Sequence, residues 1–351
     1  MISKERFYSC LNYQGYDRPP TKFYGTPEIT AELMKYFNTN NYIELLEILG
    51  DDFRQVEPRY IGPELKQFPD GSWEGLYGER YVNYPFAGGT YPEAIYLPYA
   101  EIEDMSELGG IRFPDADWYD YSGIQKECLK LQDYVVCTGD AGVPDFMNGI
   151  ARCRGVEQVL IDIGLEDPVY IELVRRRFEF LYEKYSRVLS SAGGGIDVLC
   201  LGEDYGNQNG LMISPDFFDK YFAEYIREFI SLAHKHGARA MLHSCGSCHD
   251  LITRLIDLGL DILEVIQVDA AKMDITKLHN EFYGKINFCG SISVQSTLPH
   301  GTPDQVRAEV QLRKKLFSSG GMIIAPTHDI QVGTPIENIL AMYEEIGSLS
   351  K

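Results

Sequence analysis

From about residue 120 onward, short apolar runs alternate with longer amphipathic stretches. The runs are YVVCTG (134–139), DVLCLGED (197–204), RAMLHSCG (239–246), ILEVIQVD (262–269), INFCGSI (286–292) and MIIAPTHDI (322–330). Their apolar, β-branched character predicts strands. Between them, PVYIELVRRRFEFLYEKYSRVL and PDFFDKYFAEYIREFISLAHKHG carry apolar residues at helical spacing. In the second, Phe217, Tyr221, Phe222, Tyr225, Phe229 and Leu232 fall near one face, and Gly237 is a natural terminator. Six strands alternating with helices imply a parallel sheet with crossover connections. Two upstream runs, TKFYG (21–25) and FRQVEPRY (53–60), bring the number to eight. The expected fold is therefore α/β, a (β/α)8 TIM barrel with an irregular N-terminal extension. An open doubly wound sheet is less favoured. No strand runs into a G-x-G-x-x-G turn, and the GGG at 193–195 precedes a strand instead of following one.

The first 120 residues behave differently. They are rich in Tyr, Pro and Gly, as in EPRYIGPELKQFPDGSWEGLYGERYVNYPFAGGTYPEAIYLPYAE. Such a stretch predicts loops, short strands and an irregular antiparallel element. Helical signals cover roughly 3–13 and 27–49. The second begins with Thr26 as cap, Pro27 in the first turn and Glu28 behind it. With no internal repeat and no clear linker, residues 1–351 are expected to form one domain, irregular over about 1–120 and regular over about 130–351.

Composition narrows the partners. Lys and Arg total 32 against 52 Asp and Glu, a formal charge of −20. Such a chain repels nucleic acid and anionic membrane surfaces, so neither is an expected partner and a small molecule is. Eight cysteines spread over 351 residues read as reduced thiols, not as a disulfide scaffold. The N-terminal stretch MISKERFYSCLNYQGYDRPP has no apolar signal core, and no run of about eighteen apolar residues occurs. A cytoplasmic location is the expectation.

Candidate chemistry gathers where strands end, the face on which barrel enzymes build their sites. Strand 197–204 ends in Glu203-Asp204-Tyr205-Gly206, and the next in His243-Ser244-Cys245-Gly246. The following strand carries Gln267 and Asp269, and the last ends in Thr327-His328-Asp329. Residues two apart in a strand share a face, so His243 and Cys245 are expected to point the same way. An imidazole and a thiolate can ligate one zinc ion, with His328 arriving from the last strand as a third ligand. Cys248 and His249 lie past Gly246, on the way into a helix, and are not expected to join them. A Cys245–Cys248 redox pair would require a redox βαβ setting that the pattern lacks.

The runs LGEDYGNQNGLMISPDFFDKYF, HKHGARAMLHSCG, ILEVIQVDAAKMD, FCGSISVQSTLPHGTPDQVRAEV and GGMIIAPTHDIQVGTPIENILAMY resemble the uroporphyrinogen decarboxylase superfamily. DRPPTKFYGTPE resembles the start of the same group. The resemblance covers nearly the whole chain and is most specific over the last 160 residues or so. It implies a distorted (β/α)8 barrel. True decarboxylases of the group carry an arginine-rich P-x-W-x-M-R-Q-A-G-R segment, whereas this chain has PPTKFYGTPEI and no arginine between Arg18 and Arg54. A porphyrinogen bearing eight carboxylates is electrostatically mismatched to such a chain. The sequence is thus more similar to the corrinoid-dependent zinc methyltransferase-like branch. That branch has a His-x-Cys and a third ligand, usually Cys, near the last strand; here the positions are His243, Cys245 and His328. Cobalamin-independent methionine synthases add a Glu from the following strand, and by spacing Gln267 stands there.

The resemblance implies a zinc-dependent methyltransferase. It would move a methyl group between a corrinoid protein and a small thiol or a methoxylated substrate. The corrinoid would ride on a separate partner protein, because this chain has no D-x-H-x-x-G motif. Glu203 and Asp204 are the candidate catalytic acids, for proton transfer or as a fourth ligand. Tyr205 and Gln267 are the candidate substrate-orienting residues. Two other readings remain open: a cofactor-free decarboxylase acting on a smaller acid, and a non-catalytic ligand-binding barrel. The tyrosines of the N-terminal region could line a pocket or form a packed layer.

Overall fold

The structure is a computed structural model that describes residues 1–86 and 88–350. Its centre is a curled sheet of seven parallel strands: β1 (Phe53–Gln55), β2 (Val135–Pro144), β3 (Val198–Gly202), β4 (Arg239–His243), β5 (Ile262–Ile266), β6 (Asn287–Ile292) and β7 (Met322–Pro326). Neighbours in the sheet are neighbours in this order, and every pairing is parallel. All six of the later apolar runs form consecutive strands.

Alternate strand residues face opposite sides. Val135, Cys137, Val198, Cys200, Met241, Ile262, Cys289, Ile323 and Ala325 pack inside the curl. There Phe7 and Leu11, from helix Ser3–Leu11, join them. Val136, Leu199, Leu201, Leu242, Leu263 and Ile324 face outward into the larger core beneath the helices. Strands buried on both faces explain why the runs read as continuous apolar segments.

The expectation of eight ladder strands requires correction. Segment 21–25 occupies the eighth position, but it touches β7 and its continuation through isolated parallel bridges, Thr21 with Ile324 and Gly25 with Ile330. Across the other seam, Asp52 N donates to Thr21 O at 3.0 Å. Side chains complete the closure. Asp51 accepts from the backbone amides of Phe23 and Phe53, both at 2.6 Å, and Asp52 accepts from Thr21 N at 2.9 Å. Pro19 and Pro20 have no N–H to offer at the entrance to this segment, so no regular ladder starts there. The result is barrel-like, with one seam held by carboxylates in place of a ladder.

The N-terminal region contains the expected antiparallel element, a three-stranded sheet of Trp73–Glu74, Arg80–Phe86 and Gly89–Tyr96. The helix expected over 27–49 is two helices, Pro27–Tyr36 and Tyr42–Leu49. The NTNN run separates them: Asn38 adopts a left-handed backbone, and the Asn41 side chain caps the second helix by accepting from Ile43 N at 2.9 Å. Thr26 caps the first as expected. The aromatic stretch 215–235 is a packed helical run, with Phe217, Phe222 and Phe229 buried. No helix among the described residues is long and apolar enough to cross a membrane.

Candidate active site

The C-terminal strand ends open into a cleft of about 770 Å³. Its floor holds His243, His328 and Asp204, and the hairpin 80–96 overhangs one side through Tyr81 and Tyr91. The N-terminal tyrosines are thus divided: these two line the cleft, while Tyr77 and Tyr99 are buried in the core.

His243 is the last residue of β4, and Cys245 lies beyond the strand. Strand alternation therefore does not by itself bring the pair together. Asp204 Oδ1 accepts from Cys245 N at 2.9 Å and fixes the turn. His243 Nε2 then stands 3.2 Å from Cys245 Sγ. His328 follows β7, its ring centre 6.1 Å from that of His243. One donor atom from each of His243, Cys245 and His328 lies within 4.8 Å of the others.

Electrostatics favour a thiolate at Cys245 beside two histidines that hold their protons. Burial pushes the Cys245 thiol up, but hydrogen bonds from His243 and His328 outweigh it and leave the thiol below its ordinary value. Burial alone would lower His243, yet Cys245 and Glu264 together hold it well above its usual range. His328 is raised, chiefly by its hydrogen bond to Cys245.

Glu264 was not singled out in the sequence. It pairs in register with His243 across β4 and β5, and its Oε1 lies 4.0 Å from His243 Nδ1. Burial raises its carboxyl, but Lys22 and then His243 and Tyr24 pull it down to about 2. A signal existed: a carboxylate in the middle of the apolar strand ILEVI needs a partner. Asp145 was missed too. It follows Pro144 at the end of β2, lines the cleft and is 4% exposed.

The expected site residues are only partly brought together. Asp204 joins the cluster, with Oδ1 3.8 Å from His243 Nε2 and Oδ2 accepting from Asn148 Nδ2 at 3.2 Å. Glu203 sits behind it, buried. Its carboxylate accepts from Phe146 N at 2.5 Å and from Met147 N at 3.3 Å, and burial holds it well above the usual carboxylate range. Tyr205 and Gln267 do not line the cleft. Tyr205 is fully buried, its ring edge-on to Phe218. Gln267 Oε1 accepts from Gly246 N at 2.8 Å and its Nε2 donates to Gln208 Oε1 at 2.9 Å, so it ties two loops together. Beside them Gly206 and Gly246 press backbone to backbone, so a Cβ built on Gly246 would lie 2.6 Å from Gly206 C. Cys248 is fully buried at the start of helix His249–Asp257, its thiol pushed up to about 12 by burial. His249 pairs with Asp250 and Glu281. Neither belongs to the cluster.

Comparison with known proteins follows the same lines. A model of the family described as uroporphyrinogen decarboxylase (URO-D) matches residues 174–349, half of the chain. A methylated-thiol–coenzyme M methyltransferase of Methanosarcina mazei is 27% identical over 124 residues, 34% of this chain and 32% of that protein. The chain thus spans about a third of the length of this curated relative. A solved structure of a methyltransferase from Methanosarcina mazei superposes with a TM-score of 0.66 at 17% identity, covering 99% of this chain and 98% of that one. At that identity the likeness is one of fold.

Proposed function

Since the chain belongs to the uroporphyrinogen decarboxylase (URO-D) family, in which it is similar to a methyltransferase, we propose that it is a metal-dependent methyltransferase. The methyl would pass between a corrinoid, carried by a separate protein, and a small thiol or methoxylated substrate. One observation carries this reading: two imidazoles and a thiol with a lowered pKa converge at the floor of an open cleft.

The donor set fits zinc. His243, Cys245 and His328 would hold the ion, and a ligand in the cleft could supply a fourth donor. Bound there, zinc acts as a Lewis acid that lowers the pKa of a thiol or polarises an ether oxygen. The remaining roles fall to the chain itself. Glu264 faces His243 Nδ1 and orients the ring, as carboxylates behind metal-bound histidines do. Asp204 is the carboxylate at the cluster that also lines the cleft, placed to take a thiol proton or return one to a leaving alkoxide. Glu203 acts one layer back, pinning the 146–147 backbone against β3.

The test has two parts. Elemental analysis of the purified chain should give about one zinc per chain. With free methylcobalamin as methyl donor and a panel of small thiols, zinc-loaded protein should accelerate loss of the methyl–cobalt absorbance. Absence of both metal and acceleration would overturn the reading.

A further inference from the structure

The cleft is lined by Glu93, Asp140, Asp145 and Asp204 and, among the described residues, by a single Arg or Lys, Arg152. None of the four carboxylates lies within 4.0 Å of a lysine or arginine nitrogen among the described residues. Net acidity of the chain would explain acidic residues in general. It does not explain Asp145, which is 4% exposed and whose buried Oδ1 has no hydrogen-bond partner among the described residues. A buried acceptor left unpaired is costly, and it marks a place where a donor or a positive charge belongs.

The nearby cation does not fill that role. Arg177 spends its guanidinium on Pro144 O, on Gly142 O at 3.0 Å and on Tyr77 Oη at 2.8 Å, with no ion pair to Asp145 within 4.0 Å. Burial holds the Asp145 carboxyl above its ordinary value, with Arg177 and Arg152 pulling against it and Asp204 reinforcing it. A cation entering the cleft would supply the missing counter-charge. The rings of Tyr81 and Tyr91 line the same cleft. Tyr91 is 65% exposed, and an aromatic face turned to a wet cleft is suited to a soft organic cation.

We infer that the cleft binds an organic cation bearing methyl groups, a methylated ammonium head, with Asp145 as its buried counter-charge and Tyr81 and Tyr91 as its aromatic wall. The inference rests on the methyltransferase reading for the purpose of such a ligand and names the class of molecule that brings the methyl group. The binding itself requires no turnover. A neutral methyl ether gains nothing from the unpartnered carboxylate of Asp145, whereas a methylated ammonium does.

Three probes of similar shape separate charge from size: choline, protonated 2-dimethylaminoethanol and the neutral 3,3-dimethylbutan-1-ol. Titration calorimetry on the full chain, with and without zinc, should show both cations binding at least about tenfold more tightly than the neutral compound. Raising the salt to about 0.5 M should weaken the cations and leave the neutral probe unaffected. Asp145→Asn should abolish the preference for charge. Tyr91→Ala, at an exposed position, keeps the test open should the Asp145 variant misfold, and should weaken both cations by roughly three- to tenfold. The inference is overturned if the neutral probe binds as tightly as choline, or if Asp145→Asn, shown to be folded, keeps the preference. It is also overturned if Tyr91→Ala keeps full affinity for both cations. Zinc binding and methylcobalamin turnover that persist in the face of such a result leave the methyltransferase reading standing. Loss of those two with the charge preference intact removes that reading alone.

Discussion

Glu264 and His243 are register partners on adjacent strands, and the carboxylate stands 4.0 Å from Nδ1 while Nε2 faces the thiol of Cys245 at 3.2 Å. The imidazole is thus held from behind by one strand and presented to the cleft by another. Glu264→Gln keeps the shape and removes the charge. It should weaken zinc affinity by about 10- to 100-fold, measured by competition with a chromophoric chelator. Unchanged affinity would show that Glu264 serves only Lys22 and Tyr24.

The ligand set makes a second prediction. Cys245→Ser and His328→Ala should each lose stoichiometric zinc, while Cys248→Ala should keep it. X-ray absorption on the zinc-loaded protein should find nitrogen at about 2.0–2.1 Å and one sulfur at about 2.3 Å. A second sulfur would bring Cys248 back into the site.

Asp204 touches the cluster and the cleft at once. Asp204→Asn should lower methyl-transfer turnover by about 10²-fold or more, as expected for loss of a proton-transfer group. Far-UV circular dichroism and the thermal midpoint should stay close to those of the parent. A collapse of both would mean that its bond to Cys245 N is structural first.

The two interlocked glycines set a steric limit. Gly246 has φ +71, and a Cβ there would meet the backbone of Gly206 and Asn207. Gly246→Ala should cost about 2–3 kcal/mol in urea unfolding, because backbone cannot move aside as a flexible side chain can. The same change should displace Cys245 and reduce metal binding, whereas Gly210→Ala, with open space around it, should do neither.

The seam between segment 21–25 and β1 carries a pH signature. Burial pushes Asp51 up to about 6 from an ordinary 3.8, with the amides of Phe23 and Phe53 pulling the other way. Folding therefore favours the protonated form. Its contribution is full below pH 3.8 and is lost as the pH rises through about 6. Relative to Asp51→Asn, the parent should lose up to about 3 kcal/mol of stability between pH 4 and pH 7 in urea melts. Parallel curves for the two proteins would place Asp51 at an ordinary pKa.

Much of this arrangement was legible in the chain. The six later strands were, because runs buried on both faces leave an unbroken apolar signature, and polar residues marked where they ended. The eighth position was legible as a segment but not as a bridge-and-carboxylate seam, since that depends on which side chains of Asp51 and Asp52 reach across. The metal candidates were recognisable as residue types at a strand end. The reason they converge was not, because Cys245 is fixed by Asp204 and not by strand alternation. Tyr205 and Gln267 looked like cleft residues by their place in the chain, but Tyr205 packs against Phe218 in the core and Gln267 is spent on Gly246 N and Gln208. Glu264 and Asp145 show the opposite case: Glu264 carried a signal as a carboxylate inside an apolar run, but its partners, like those of Asp145 after its proline, are set by three-dimensional neighbours.

The two walls of the cleft come from different parts of the chain. The cluster of His243, Cys245, His328, Glu264 and Asp204 lies within the segment that matches the family, residues 174–349. Tyr81, Tyr91, Glu93, Asp140, Asp145 and Arg152 all precede it. On the proposed reading, recognition and reaction would be written in separate stretches of sequence. A hairpin that reaches over the floor from outside can be lengthened, recharged or exchanged without altering the strands that carry His243 and His328, so one floor could serve a succession of different visitors.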